Sequence, residues 1–215
     1  GYPDGAEAVL LVEIDGLEES VDEESELIES IIARHNPMEI RIAKDDDERQ
    51  RLWAGRKGAL GALGRLAPNY YLIDGTIPRT KMVEVMARIK EISAETGFPI
   101  ANVVHAGDGN LHPCILFDER KPGETRKVLD IGGQILKLCV DKGGVLSGEH
   151  GIGIEKREYM PYMFTNDDMT VMAQLKDAFD TQDALNPGKI FPQGFVEQRF
   201  TQSGSIARAG SRAHI

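Results

Sequence analysis

The stretch Val103-Val104-His105-Ala106-Gly107-Asp108-Gly109-Asn110-Leu111-His112-Pro113-Cys114 decides how this chain is read. Asp108-Gly109 between apolar runs is the signal of a two-residue β-hairpin loop. With those two residues as the loop, Gly107 faces Asn110 and His105 stands directly opposite His112. Directly opposed residues share a face, with Cβ atoms about 4.5–5.5 Å apart. Two imidazoles at that spacing can share one metal ion through Zn–N bonds of about 2.0–2.1 Å. A second stretch, Gly148-Glu149-His150-Gly151-Ile152-Gly153, offers Glu149 as an oxygen ligand. Two His and one carboxylate leave a coordination position open, as catalytic sites do. The plainer alternative is a hairpin whose imidazoles bond only to backbone. The Gly107–Asn110 loop, the paired histidines and the separate Gly-Glu-His-Gly loop together favour a site.

Working outward, Ile100–His105 and 111–117 are the hairpin strands. Before them, 69–74 reads as a strand closed by Gly75, and Pro78 precedes a helix over 79–96. Met82, Met86 and Ile89 of that helix fall at core spacing. Gly97-Phe98-Pro99 ends it. After the hairpin, a helix over 122–142 carries Val128, Ile131, Ile135 and Leu138 on one face and stops at Gly143-Gly144. A last helix covers 166–179, and 184–189 is turn-rich. Toward the N-terminus, the apolar run 8–14 and the alternating 38–42 read as two further strands. They are separated by an amphipathic helix over 17–34, and a helix over 45–64 follows, opened by Asp45-Asp46-Asp47-Glu48. The tight hairpin demands an antiparallel pair, which argues against a doubly wound parallel sheet. The expectation is an α+β fold: an antiparallel sheet with helices packed mainly on one face, ferredoxin-like in topology. Residues 1–200 are expected to form one domain and 201–215 a mobile tail.

Composition sets limits. The chain has 215 residues, 41% hydrophobic and 28% charged, which is ordinary for a globular protein. A formal net charge of −10 argues against nucleic acid or an anionic membrane surface as the main partner. An anionic substrate therefore needs a local basic group. Cys114 and Cys139 make no disulfide framework and read as buried thiols in a reducing, cytoplasmic setting. No apolar run approaches the roughly 20 residues of a membrane span. The chain opens at Gly1-Tyr2-Pro3 without Met or a signal peptide, which reads as a fragment of a longer protein or a processed chain.

A His/His/Glu metal site with an open position suits two reactions. One is hydrolysis by an activated water. The other is oxidation of an alcohol, the metal holding the hydroxyl and a base taking its proton. His150 fits the base, because neighbours on an extended loop point different ways, and an imidazole titrates near neutral pH. The hydride needs an acceptor, and no Gly-x-Gly-x-x-Gly follows a strand here. A non-catalytic ligand-binding domain is the third alternative.

The residues also carry a resemblance. His105-Ala106-Gly107-Asp108-Gly109-Asn110-Leu111-His112, Ser147-Gly148-Glu149-His150-Gly151-Ile152-Gly153 and Ala184-Leu185-Asn186-Pro187-Gly188-Lys189-Ile190-Phe191 resemble the C-terminal domain of FAD-linked oxidases of the vanillyl-alcohol oxidase family. Trp53 with Arg56-Lys57, and Tyr70 through Pro78, resemble its 2-hydroxy acid dehydrogenase subgroup. The likeness covers nearly all of 8–192. It implies a substrate and cap domain of a flavin-dependent dehydrogenase of the glycolate or D-lactate type, with FAD held mostly by an N-terminal domain not included here. It further implies a divalent metal (Zn, or Mn/Fe) on His105, His112 and Glu149, with His150 as base. Arg56 is implied as a clamp on the substrate carboxylate, and Asn110 and Asn186 as positions near the flavin. The plain readings are a solvated helix arginine for Arg56 and an Asn-Pro turn for Asn186. The implied partners are a small 2-hydroxy acid, other subunits of an oxidase complex or an electron acceptor, with peripheral attachment to the inner membrane through that acceptor. Related 2-hydroxyglutarate dehydrogenases carry a lysine in the strand where this chain has Leu72, so a small monocarboxylate is expected over a dicarboxylate. The chain alone is expected to fold without being yellow or active.

Overall fold

The computed structural model describes residues 2–196, so the expected tail at 201–215 lies outside the described residues. The chain divides into two compact units, Gly1–Ala62 and Leu63–Ile215.

The first unit holds two helices, α1 (Glu18–Ala33) and α2 (Asp46–Leu63, whose last residue opens the second unit). Asp45 caps α2, accepting from the Glu48 N–H at 2.7 Å, while the Glu48 carboxylate accepts from the Lys44 N–H at 3.0 Å. The segment before α1 is tied to α2 through Glu13, which pairs with Arg49 and accepts from the Trp53 indole N–H. The strands expected at 8–14 and 38–42 are absent among the described residues of this unit: neither run has a ladder partner, and Met38 lies in a bend. Val9, Leu10 and Val12 of the first, and Met38, Ile40 and Ile42 of the second, are exposed. Apolar alternation favours extended backbone, but a strand exists only where a neighbouring chain segment satisfies its N–H and C=O groups.

The second unit is an antiparallel sheet backed by helices. Its elements are β1 (Asn69–Leu72), β2 (Gly75–Thr76), α3 (Met82–Thr96), β3 (Ile100–His105), β4 (Asn110–Phe117), α4 (Glu124–Asp141) and α5 (Asn166–Phe179). β4 is central, with β3 along one edge and β1 then β2 along the other. The expected strand at 69–74 is split, because Pro113 of β4 has no N–H to donate opposite Ile73. The register does not slip across the break: Leu72 pairs Cys114 and Gly75 pairs Leu111. Asp74 is thereby set opposite His112.

The pleat sorts side chains by parity. Leu111 and Ile115 face α3 and α4, and join Val85, Ile89, Ile92, Val128, Ile131, Ile135 and Leu136 in the core. Met82 and Met86 pack at its margin, as their spacing suggested. Gly75 lies against α4, where a Cβ would meet the Cys139 sulfur at 2.9 Å. Asn110 and His112 belong to the opposite face. The fold is therefore α+β with an antiparallel sheet, in the class expected. No helix among the described residues is long and apolar enough to cross a membrane.

Candidate active site

The hairpin differs from expectation in its turn. His105 pairs with Asn110, and Val103 with His112. The loop is four residues long, Ala106 to Gly109, and both the Asp108 and Gly109 N–H groups bond to the His105 carbonyl at 3.0 Å. A two-residue type I′ turn needs positive φ at both central residues. Gly109 has φ +75°, whereas Asp108 does not enter the left-handed region. The register moves by two residues, and a shift of two leaves every side chain on its original face. His105 and His112 still meet, with ring centroids 5.5 Å apart and planes at 84°.

Glu149 arrives from the loop after α4. An isolated antiparallel bridge between Thr76 and Val145 holds the base of that loop beside β2. Glu149 then lies between the two histidines, with Oε1 3.5 Å from His105 Nε2 and Oε2 3.8 Å from His112 Nε2. Ligand atoms of His105, His112 and Glu149 all fall within 4.8 Å of one another. Asn110 donates from Nδ2 to Glu149 Oε1 at 2.9 Å and stands 3.4 Å from His112 Nε2. His112 is buried, while His105 and Glu149 are exposed. Burial lowers the His112 pKa against the opposing pull of the Glu149 and Asp74 carboxylates. That favours the neutral imidazole, the form that ligates metal. Two imidazole nitrogens and a carboxylate with one side open are a donor set suited to a divalent cation.

His150 stacks on His112, with centroids 5.3 Å apart and planes at 18°. Asp74, His112 and His150 form a second close group. The oxygens of Asp74 are already committed. They accept from Lys156 Nζ at 2.8 Å, from Ser147 Oγ at 2.7 Å and from the N–H groups of Gly148, Glu149 and His150 at 3.1, 3.1 and 2.9 Å. Burial works to raise the Asp74 pKa, but Lys156, Ser147 and the His150 N–H outweigh it and hold the carboxyl well below its usual range. The cluster His105, His112, Glu149 is the less committed of the two, with Asn110 as the neighbour that engages Glu149 Oε1 and approaches His112 Nε2.

The remaining expected residues, Arg56 and Asn186, are on other elements. Arg56 is on α2 in the first unit and is half-buried. Asn186 is exposed, at φ +48°, in the turn after α5. That turn is shaped by Asp180, which accepts from Lys176 Nζ at 2.6 Å and from the Ala184 and Leu185 N–H groups at 2.8 and 2.9 Å. Sequence reasoning missed Asp74, Lys156 and Asp180. For Asp74 a signal existed: a carboxylate ending an apolar strand before Gly75. Lys156 and Asp180 gave none.

The chain matches the family of FAD linked oxidases, C-terminal domain, over residues 1–190, and it belongs to that family. It is 48% identical over 192 residues to the glycolate oxidase subunit GlcD of Escherichia coli K12, covering 89% of this chain and 38% of that protein. It is 35% identical over 182 residues to the mitochondrial D-lactate dehydrogenase (cytochrome) of Kluyveromyces lactis, covering 81% of this chain and 31% of that one. The chain therefore spans about two fifths or less of these relatives. Among solved structures, 4-ethylphenol oxidase from Gulosibacter chungangensis shares the fold, with TM-score 0.58, 17% identity, and coverage of 83% of this chain and 38% of that one.

Proposed function

We propose that this domain is the substrate-side half of a flavin-dependent 2-hydroxy acid dehydrogenase, acting on a small monocarboxylate of the glycolate or D-lactate type. The observation that carries the reading is the meeting of His105, His112 and Glu149 within 4.8 Å, with His150 stacked alongside. Relatives named glycolate oxidase and D-lactate dehydrogenase support the substrate class. Bound groups would supply two things: a divalent cation on His105, His112 and Glu149 would polarise the substrate hydroxyl, and FAD would accept the C2 hydride.

The rest falls to this chain. His112 stays neutral through burial and keeps a lone pair for the cation. Asn110 restrains Glu149. His150 takes the hydroxyl proton as the C2–H bond breaks and the carbon–oxygen double bond forms, giving a 2-oxo acid. Arg56 is assigned to the substrate carboxylate and Asn186 to the flavin side, both on the family resemblance. The proposed acceptor for the flavin's electrons is another subunit of an oxidase complex or a separate electron acceptor.

Calorimetric titration of the metal-free chain with Zn²⁺ and Mn²⁺ tests the centre. The expected result is one site per chain, lost in Glu149→Ala and in His112→Ala. Equal affinity in wild type and both variants would contradict it.

A further inference from the structure

Three consecutive N–H groups, those of Gly148, Glu149 and His150, converge on the single carboxylate of Asp74. A backbone wrapped this way around a buried anion turns its side chains outward. Here they turn to the histidine face: Glu149 toward His105 and His112, His150 onto His112. Asp74 is fully buried and its charge is met by Lys156, which is 1% exposed. The ammonium uses its three donors on the Asp74 carbonyl (3.0 Å), the Asp74 carboxylate (2.8 Å) and Ser147 Oγ (3.3 Å). Ser147 in turn accepts from the Gly151 N–H at 2.8 Å, closing the loop. Because Asp74 falls opposite His112 in the sheet register, one strand position ties the loop to the histidine strand.

We infer that Asp74, neutralised by Lys156, is the positioning residue that aims Glu149 and His150. This rests on the roles proposed for those two residues. The two Asp74 oxygens accept from five donors: the Gly148 and Glu149 N–H groups on Oδ1, and the His150 N–H, the Ser147 hydroxyl and Lys156 Nζ on Oδ2, which only an acceptor-only carboxylate can do. A carboxamide offers one acceptor oxygen and presents two donors to the same N–H groups, so Asp74→Asn cannot hold this wrap. The pair's charge balance and its aiming role are therefore separable. Asp74→Asn or Lys156→Met alone leaves a buried charge unpaired or undercompensated. Asp74→Asn with Lys156→Met removes both charges and retains similar volume.

The test uses the 215-residue chain and three readouts: thermal melting, residue-resolved amide exchange and Zn²⁺ titration. In the double variant, melting returns toward wild type relative to either single variant. The 148–150 amides exchange at least about tenfold faster, while those of β4 stay as slow as in wild type. Zinc affinity falls roughly 10–100-fold, as for loss of groups that orient ligands. Recovery of melting, protection and zinc affinity together would reduce the pair to packing and overturn the inference. If the double variant does not fold, Asp74→Glu decides: it keeps the charge but moves the carboxylate, so zinc affinity falls if Asp74 aims the loop, and unchanged affinity overturns it. A wild-type chain that binds no zinc yet protects the three amides contradicts the metal reading and upholds the wrap. Freely exchanging wild-type amides overturn the wrap whatever zinc does.

Discussion

At the scale of single residues, the site depends on close approach as much as on charge. Gly148 passes so near β4 and β2 that a Cβ would stand 2.6 Å from Asn110 Cγ, Asn110 Oδ1 and Thr76 Oγ1 alike. Asn110 is 3% exposed and has no room to retreat. Gly148→Ala is expected to lower stability by about 1–3 kcal/mol, the usual effect of overpacking. It should also weaken zinc binding by displacing Glu149. Denaturant unfolding and zinc titration check both effects, and a variant unaltered in both would mean that the loop lies farther from Asn110. The histidines and Glu149 were legible in the sequence because each sits in a local glycine-rich motif that limits where it can point. Asp74 left only the signal of a carboxylate ending an apolar strand, and its pairing with Lys156 left none, because it joins positions 82 residues apart and has no periodicity. A buried lysine looks like any other until the chain is folded.

At the scale of elements, the α-helices were read to within three residues at their ends, since apolar spacing and end signals are local; the 3-10 helix Arg157–Tyr162 was not read. The α5 cap lies one residue before its expected opening: Thr165 and Asp168 form a reciprocal capping box. The hairpin was read with the wrong loop and the right face, since side-chain direction depends only on the parity of the register. The N-terminal strands were read from alternation alone, and alternation does not supply a partner. The turn after α5 carries its own test. Lys176, then the Leu185 N–H, hold the Asp180 carboxyl below its ordinary value. A depressed carboxylate pKa contributes stability that is present above the unfolded value, about 3.9, and is lost as pH falls through the folded one. Asp180→Asn should therefore destabilise the chain at pH 7, because it removes the charged acceptor that holds Lys176 and the Ala184 and Leu185 N–H groups. The gap to wild type should narrow toward pH 3. Thermal melting at both pH values decides, and a constant gap would show that the Asp180 charge is not what holds the turn of Asn186.

At the scale of the whole molecule, the sheet divides labour between its two faces. One buries Leu111 and Ile115 against α3 and α4, and the other presents Asn110 and His112 to the loop that carries Glu149 and His150. The apolar face makes the scaffold rigid, so the polar face can hold a site whose other members are exposed. The central claim is that His150 takes the proton in a flavin-dependent oxidation. General-base assistance of this kind contributes roughly 10²–10⁴-fold in rate. The most direct measurement is anaerobic flavin reduction by glycolate or D-lactate, in a protein that carries this domain together with a flavin-binding domain. His150→Ala is predicted to slow reduction by roughly that factor, with flavin and metal content unchanged. Reduction of the His150→Ala flavin at the wild-type rate would contradict the account.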